Sequence, residues 1–229
     1  MNSGRRRFLG AIAGTAATAF LPRGATAAVL PDATTWSLWQ GYLPPAPIMP
    51  QTVLPEVNHG DVAPALLARA LAAMDSHSAQ IADRSVMGLV DFSVPSRIPR
   101  LHIVDVAGGR VLSSHLVAHG KGSDPANSGW AERFSNRIGS EASSSGSFLV
   151  GETYFGRHGR SRRVIGLDAD NDQAEVRGIV IHAASYVDHD FAAQYGRIGR
   201  SQGCFAVGAG EIDSVLDQLG PGRLLFAAR

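Results

Sequence analysis

Along residues 63–82 the apolar positions Leu67, Leu71, Met74 and Ile81 recur at near-helical spacing, with polar and small residues between them. This predicts one amphipathic helix, with Asp61 as its cap and Pro64 tolerated in the first turn. The period then changes. Residues 86–92, 101–106 and 111–117 are short runs rich in branched side chains, and Ala107-Gly108-Gly109-Arg110 between the last two is a hairpin signal. Further strands are predicted at 148–151, 163–167, 178–182 and 223–227, with a second helix at 211–219. The pattern is that of a mainly β domain with flanking helices.

Three segments stand outside this pattern. Residues 119–147 are rich in glycine and serine, including EASSSGS, and read as a long loop; loops of that length inside a compact domain are usually functional. Residues 28–62 hold Pro31, Pro44, Pro45, Pro47, Pro50 and Pro55 without sustained periodicity, and read as a lead-in. Residues 1–27 combine Arg5-Arg6-Arg7-Phe8-Leu9, a mild apolar run and the small-residue site Ala25-Thr26-Ala27, the pattern of a twin-arginine signal peptide. The run is too short for a stable membrane span, so cleavage near Ala27 and release into the periplasm or cell envelope are expected. The ordered part is then a single domain, 63–229.

Charge changes the picture only after that cleavage. The full chain carries 21 basic and 20 acidic residues, and residues 1–27 hold four arginines and no acid, so the mature chain has a formal charge of −3. Nothing in this balance suggests a nucleic-acid binder. The cluster Arg157, His158, Arg160, Arg162 and Arg163 has no acid within it and is either a surface for anionic groups or a solvated hairpin.

Cysteine usage changes it more. Cys204 is the single cysteine, and an unpaired cysteine in an exported chain is a reactive thiol, a dimer-forming one or a small buried hydrophobe. A nucleophilic thiol needs a base or a positive neighbour to populate the thiolate. His182 ends the apolar run GIVIH, which places a titratable ring at a strand end, and Gly203 precedes the cysteine in a turn whose backbone amides could meet an oxyanion.

These residues resemble a family. GIVIHAASYV followed by GRSQGCFAV is similar to the L,D-transpeptidase catalytic domain, the YkuD-type fold, and AHGKGS, FSNRIGS, SSSGSFLVGETYFGRHG and GLDADNDQAEVRGIVIHAA extend the resemblance from about residue 90 to the end of the chain. It implies an L,D-transpeptidase-like β-sandwich and acyl transfer on peptidoglycan stem tetrapeptides. Cys204 would attack the carbonyl before a terminal D-alanine, His182 would move the protons, the amides of Gly203 and Cys204 would hold the oxyanion, and the carbonyl of Ala183 would orient the imidazole. Ser201, Arg200, Gln202, Tyr186 and Tyr154 are the expected substrate contacts. No cofactor or metal is implied. Many family members carry histidine where this chain has Gln202, and arginine where it has Ala206; the 18 residues between His182 and Ser201 are also slightly more than usual.

The rivals are weaker on the residues. His115 and His119 lie four apart, and Asp188, His189 and Asp190 are adjacent, but the histidines fall on a strand and a loop and lack the glutamate of zinc peptidases. Papain-like amidases place cysteine before histidine, the reverse of the order here. Sortases keep the order but resemble a Thr-x-Thr-Cys strand with an arginine downstream. An L,D-carboxypeptidase on the same stems, and a non-catalytic wall-binding protein with an inert Cys204, stay open alternatives.

Overall fold

The computed structural model describes residues 62–229. The expected signal peptide and nearly all of the lead-in, Asp61 included, lie outside the described residues. In chain order the elements are α1 (Pro64–Ser76), β1 (Val86–Asp91), β2 (Leu101–Asp105), β3 (Arg110–His115), β4 (Gly146–Gly156), β5 (Gly159–Gly166), β6 (Val180–Ala183), α2 (His189–Tyr195), β7 (Phe205–Val207), α3 (Ile212–Gln218) and β8 (Leu224–Ala228).

The strands form one mixed sheet in the order β3-β2-β1-β8-β4-β5-β6-β7. It is antiparallel except where β1 meets β8 and β6 meets β7. The chain leaving β3 then reaches the opposite edge, because Ala118 bridges Ala206 and Gly120 bridges Ser201. The two ends of the sheet are therefore brought together around a shared interior, giving the mainly β, sandwich-like layering that the sequence implied. That interior takes Ile103 from β2, Phe148 from β4, Ile181 from β6, Phe205 from β7 and Leu216 from α3, all nearly inaccessible to water. Phe148 and Phe205 meet edge to face with centroids 5.3 Å apart, a favourable aromatic geometry.

A second apolar cluster lies beneath α1, and here the face differs from the expected one. Leu66, Ala70 and Met74 are buried, whereas Leu71 is exposed. The 4-residue repeat uses Ala70, whose small side chain marks a position of close packing better than a bulky one would. The helix also ends at Ser76 instead of continuing to residue 82, and its N-cap is Ala63 with no side-chain cap. Beyond its end, His77 bonds Asp168 at 2.8 Å and ties the helix to the chain after β5.

Two elements were not expected. The helix α2 is capped by Asp188, whose carboxylate accepts from the Phe191 amide at 2.8 Å, and it stops at Gly196 in the left-handed region. The strand β7 has three residues, too few for a periodic signal. The hairpin of β4 and β5 is longer than predicted, and its pairing ends at Gly156 opposite Gly159. Among the described residues, no helix is long and apolar enough to cross a membrane.

Candidate active site

Parallel pairing of β6 with β7 sets His182 opposite Ala206. Cys204 immediately precedes β7, one residue outside the ladder, and packs against the interior that holds Ile181 and Phe205, so the turn carrying the thiol lies beside the strand that carries His182. The imidazole is buried, 3% exposed, and its Nδ1 donates to the carbonyl of Ala183 at 2.8 Å. That bond fixes the tautomer and leaves Nε2 without a proton, as a base requires. Burial holds the His182 pKa below the ordinary imidazole value, against the Ala183 hydrogen bond, and the neighbouring His158 and Arg157 push in the same direction as burial. The ring is therefore neutral at pH 7.

Cys204 is half-buried in the turn immediately before β7. Its thiol donates to the carbonyl of Gly178 at 3.7 Å, so it rests on the loop before β6 and not on the imidazole. Burial raises its pKa above the ordinary thiol value, while the Val180 backbone amide and the guanidinium groups of Arg177 and Arg157 oppose that rise. At rest the thiol and the imidazole are thus both neutral.

The turn that carries the thiol is fixed from several sides. Ser201 is buried; its hydroxyl accepts from the Gly203 amide at 3.1 Å and donates to the Cys204 carbonyl at 2.7 Å. Gly203 has φ of +114°, a region that suits glycine, and an added Cβ would stand 2.6 Å from the Ala142 carbonyl oxygen. Gly203→Ala is expected to destabilise the fold by roughly 2–3 kcal/mol, from the strained φ together with the contact. Thermal denaturation of the purified variant measures it.

The wall behind this turn is the segment 119–147. Gly120 and Gly122 approach the backbone of residues 140–142 so closely that a Cβ on either would lie under 2.5 Å from a carbonyl oxygen. Ser143 accepts from the Gly120 amide at 3.0 Å, and Ser123 accepts from the Ser143 amide at the same distance. Arg177 spans this wall, donating to the Ser135 carbonyl, the Ser144 hydroxyl at 2.6 Å and the Ala142 carbonyl. The serines of EASSSGS are thus used to satisfy buried polar groups in a packed loop. The motifs AHGKGS, FSNRIGS and SSSGS run through this wall and Arg177 lies in AEVRGIVIH, but the sequence does not reveal that Arg177 ties the wall together.

A buried polar strut holds the other flank. The guanidinium of Arg100, fully buried, donates to His119 Nδ1 at 2.7 Å, and His119 Nε2 donates to Asp124 at 3.3 Å. The carbonyl of His119 accepts from the Ser201 amide at 2.9 Å, so the strut bears on the turn. Burial and the Arg100 charge bring the His119 pKa down to about 4. An unfolded chain takes up the proton near pH 6.5, so it binds more protons than the native state as pH falls, and stability drops through the window from 6.5 to 4. The loss is about 3 kcal/mol at the lower end of that window. His119→Gln keeps one acceptor and one donor without titrating. Its melting temperature is expected to fall less between pH 6.5 and 4 than that of the wild type.

The remaining predicted contacts divide. Tyr186 lies near the thiol: burial and the Cys204 charge both raise its pKa. Ser201 is spent inside the turn and does not face a groove. Arg200 donates to the carbonyl of Asp124, a structural bond. Gln202 is exposed and donates to Glu141 at 3.2 Å. The ring of Tyr154 packs within its own hairpin, under the Arg163 guanidinium at 4.9 Å and against Gly156. The Gly203 amide, expected to be free for an oxyanion, is engaged by Ser201. His115 bonds Glu211 and Ser113, so its ring and that of His119 serve different partners. Among the described residues no group of three or more His, Cys, Asp or Glu side chains is placed to hold a metal ion.

The basic cluster is also resolved into parts. Arg160 pairs with Asp213 at 3.0 Å and Asp217 at 2.6 Å, and Arg162 is buried and donates to the carbonyl of Leu216 at 2.9 Å. His158 instead stacks on His182, with ring centroids 4.2 Å apart. The sequence comparison with Gln202 indicated that a second imidazole was missing; the hairpin supplies one from another direction.

A family model described as L,D-transpeptidase catalytic domain matches residues 58–228. Solved structures similar to this chain include an L,D-transpeptidase from Mycobacterium smegmatis, at 14% identity and a TM-score of 0.39, covering 63% of this chain and 59% of that one. Another is residues 123–326 of the L,D-transpeptidase from Xylanimonas cellulosilytica, at 17% identity and a TM-score of 0.39, covering 64% and 62%. A third is L,D-transpeptidase 3 from Mycobacterium tuberculosis in complex with a faropenem-derived adduct, at 10% identity and a TM-score of 0.41, covering 63% and 60%. The match thus spans about three fifths of each of those chains. No curated protein matches the sequence.

Proposed function

Because the chain belongs to the L,D-transpeptidase catalytic domain family, we propose that it is a cysteine acyltransferase that cross-links peptidoglycan stem tetrapeptides. The observation that carries this is the parallel β6–β7 ladder, which brings the turn holding the only thiol alongside the strand that bears an imidazole whose tautomer is fixed by the Ala183 carbonyl. The thiol first turns from Gly178 toward His182. The sulfur then bonds to the carbonyl carbon of the L-centre residue as its proton passes to Nε2, and collapse of the tetrahedral intermediate breaks the C–N bond. His182 returns the proton to the departing amine, D-alanine leaves, and a thioester remains on Cys204. An amine of a second stem attacks that thioester, forming the new amide and restoring the thiol.

In this scheme the Cys204 amide serves the oxyanion, and the Gly203 amide joins it by exchanging its Ser201 partner. Tyr186 lines the groove beside the thiol. Residues 1–27 act as a twin-arginine signal that delivers the folded chain to the periplasm or cell envelope. No cofactor takes part.

One observation favours the alternative of an inert, wall-binding protein: the thiol is parked on a carbonyl and burial raises its pKa. Incubating the mature protein with a disaccharide-tetrapeptide separates these possibilities. Cross-linked dimer with free D-alanine is the expected product. Tripeptide without dimer indicates a carboxypeptidase, and unchanged tetrapeptide supports the inert reading.

A further inference from the structure

Of the basic residues on the β4–β5 hairpin, one has no settled structural use. Gly156 and Gly159 close the ladder opposite each other, so Arg157 and His158 are the two residues of the loop. His158 lies on the ring of His182, and Arg157 Nε donates to His158 Nε2 at 2.8 Å. His158 Nε2 is thus the acceptor that fixes the direction of the Arg157 side chain. Arg160, Arg162 and Arg163 are engaged by two aspartates, a backbone carbonyl and the Tyr154 ring respectively. The terminal nitrogens of Arg157 have no hydrogen-bond or ion-pair partner among the described residues.

We propose that Arg157, oriented by His158 above the His182 ring, binds the free carboxylate of the leaving residue and restricts the chain to peptides that end one residue beyond the attacked carbonyl. This rests on the acyl-transfer reading given above and names what that site selects. A substrate attacked at Cys204 and protonated by His182 carries its leaving amine between those two groups. When the leaving group is a single amino acid, its carboxylate is one Cα bond away from that amine. A guanidinium fork matches a carboxylate with two parallel hydrogen bonds. The charge of Arg157 is felt at both Cys204 and His182, which agrees with a position at the mouth of the same groove. A longer peptide has a neutral amide at that point, and the fork is left unpaired.

The test compares a stem-type tetrapeptide with a free C-terminal carboxylate against the same peptide ending in a carboxamide. Intact-mass spectrometry follows acyl-enzyme formation on Cys204. The wild type is expected to react with the free acid about 10–100-fold faster, the range of a hydrogen bond to a charged group. In Arg157→Gln that preference is expected to fall to within about 3-fold of unity, with Arg157→Lys between the two because it keeps the charge and loses the fork. His158→Phe, which keeps an aromatic ring on His182 and removes the acceptor for Arg157, is expected to lie between wild type and Arg157→Gln. The ratio compares two peptides on one variant, so the amount of folded protein cancels. A second measurement needs no turnover: calorimetric binding of both peptides to Cys204→Ala, with and without Arg157→Gln, is expected to show the same loss of preference.

A preference for the free acid that survives Arg157→Gln in both measurements overturns the inference. So does a wild type that is acylated equally by both peptides, and that result leaves the transpeptidase reading standing. A wild type that forms no adduct with either peptide removes that reading, and the inference with it.

Discussion

Cys204→Ala is expected to lower acyl transfer from a stem tetrapeptide by on the order of 10⁵-fold, to the level set by binding alone, without unfolding the protein. The reason is chemical, since no other thiol exists in the chain to take the acyl group. The fold tolerates the change because the side chain is half-buried and small, and its hydrogen bond to Gly178 is a long sulfur contact. The turn is held instead by Ser201, by the left-handed Gly203 and by the close packing of residues 140–142, none of which the substitution touches. Steady-state release of D-alanine measures the loss, and thermal denaturation within about 2 °C of the wild type shows that it is chemical. A variant that retains more than a hundredth of the activity would place the nucleophile elsewhere.

His182→Gln has the second largest expected effect, a loss of about 10²–10⁴-fold, the usual range for general acid–base catalysis. A glutamine amide can still donate to the Ala183 carbonyl but takes no proton from sulfur. The pH dependence gives a separate readout. Burial, with His158 and Arg157, lowers the imidazole pKa, so the wild type is expected to keep its base form and its rate at pH values below the ordinary imidazole range. The acid limb of kcat/KM therefore lies below about pH 6.5. Burial raises the thiol pKa, so direct ionisation of Cys204 contributes only above the ordinary thiol range. In His182→Gln the acid limb is expected to vanish, leaving a rate that climbs with pH as the thiolate forms unaided. Rate profiles from pH 4 to 10 on both proteins test this.

Much of the β meander was legible because β1, β2 and β3 are short runs rich in branched residues, with a glycine turn between β2 and β3, a pattern that depends on neighbours in sequence. The Cys204–His182 pair is proposed on other grounds: a lone cysteine after glycine and a histidine at the end of an apolar run leave few chemical alternatives. What failed did so where structure rests on contacts distant in sequence. The helical face was misjudged because Ala70 contributes by fitting closely, a property that hydrophobicity does not register. The loop 119–147 was legible as a loop, but its packing was not: Gly120, Gly122, Ser123, Ser143 and Ser144 are small and polar, and those features let backbones touch and satisfy one another. Ser201 and Arg200, which lie close to Cys204 in sequence, also carry structural bonds that the sequence does not reveal, Ser201 to the Cys204 carbonyl and Arg200 to the Asp124 carbonyl. His158 lies 24 residues before His182 in the chain and could be placed on it only through the pairing of β5 with β6.

The claim that matters most is that the imidazole at position 182 serves the sulfur at position 204, and alkylation of the folded protein tests it with no assumption about substrate. Iodoacetamide labelling of Cys204 is followed by intact-mass spectrometry at pH 7 in the wild type and in His182→Gln. The expected result is rapid labelling of the wild type, at least about 10-fold faster than the variant. Equal rates in the two proteins, or a thiol that reacts only after denaturation, would contradict it.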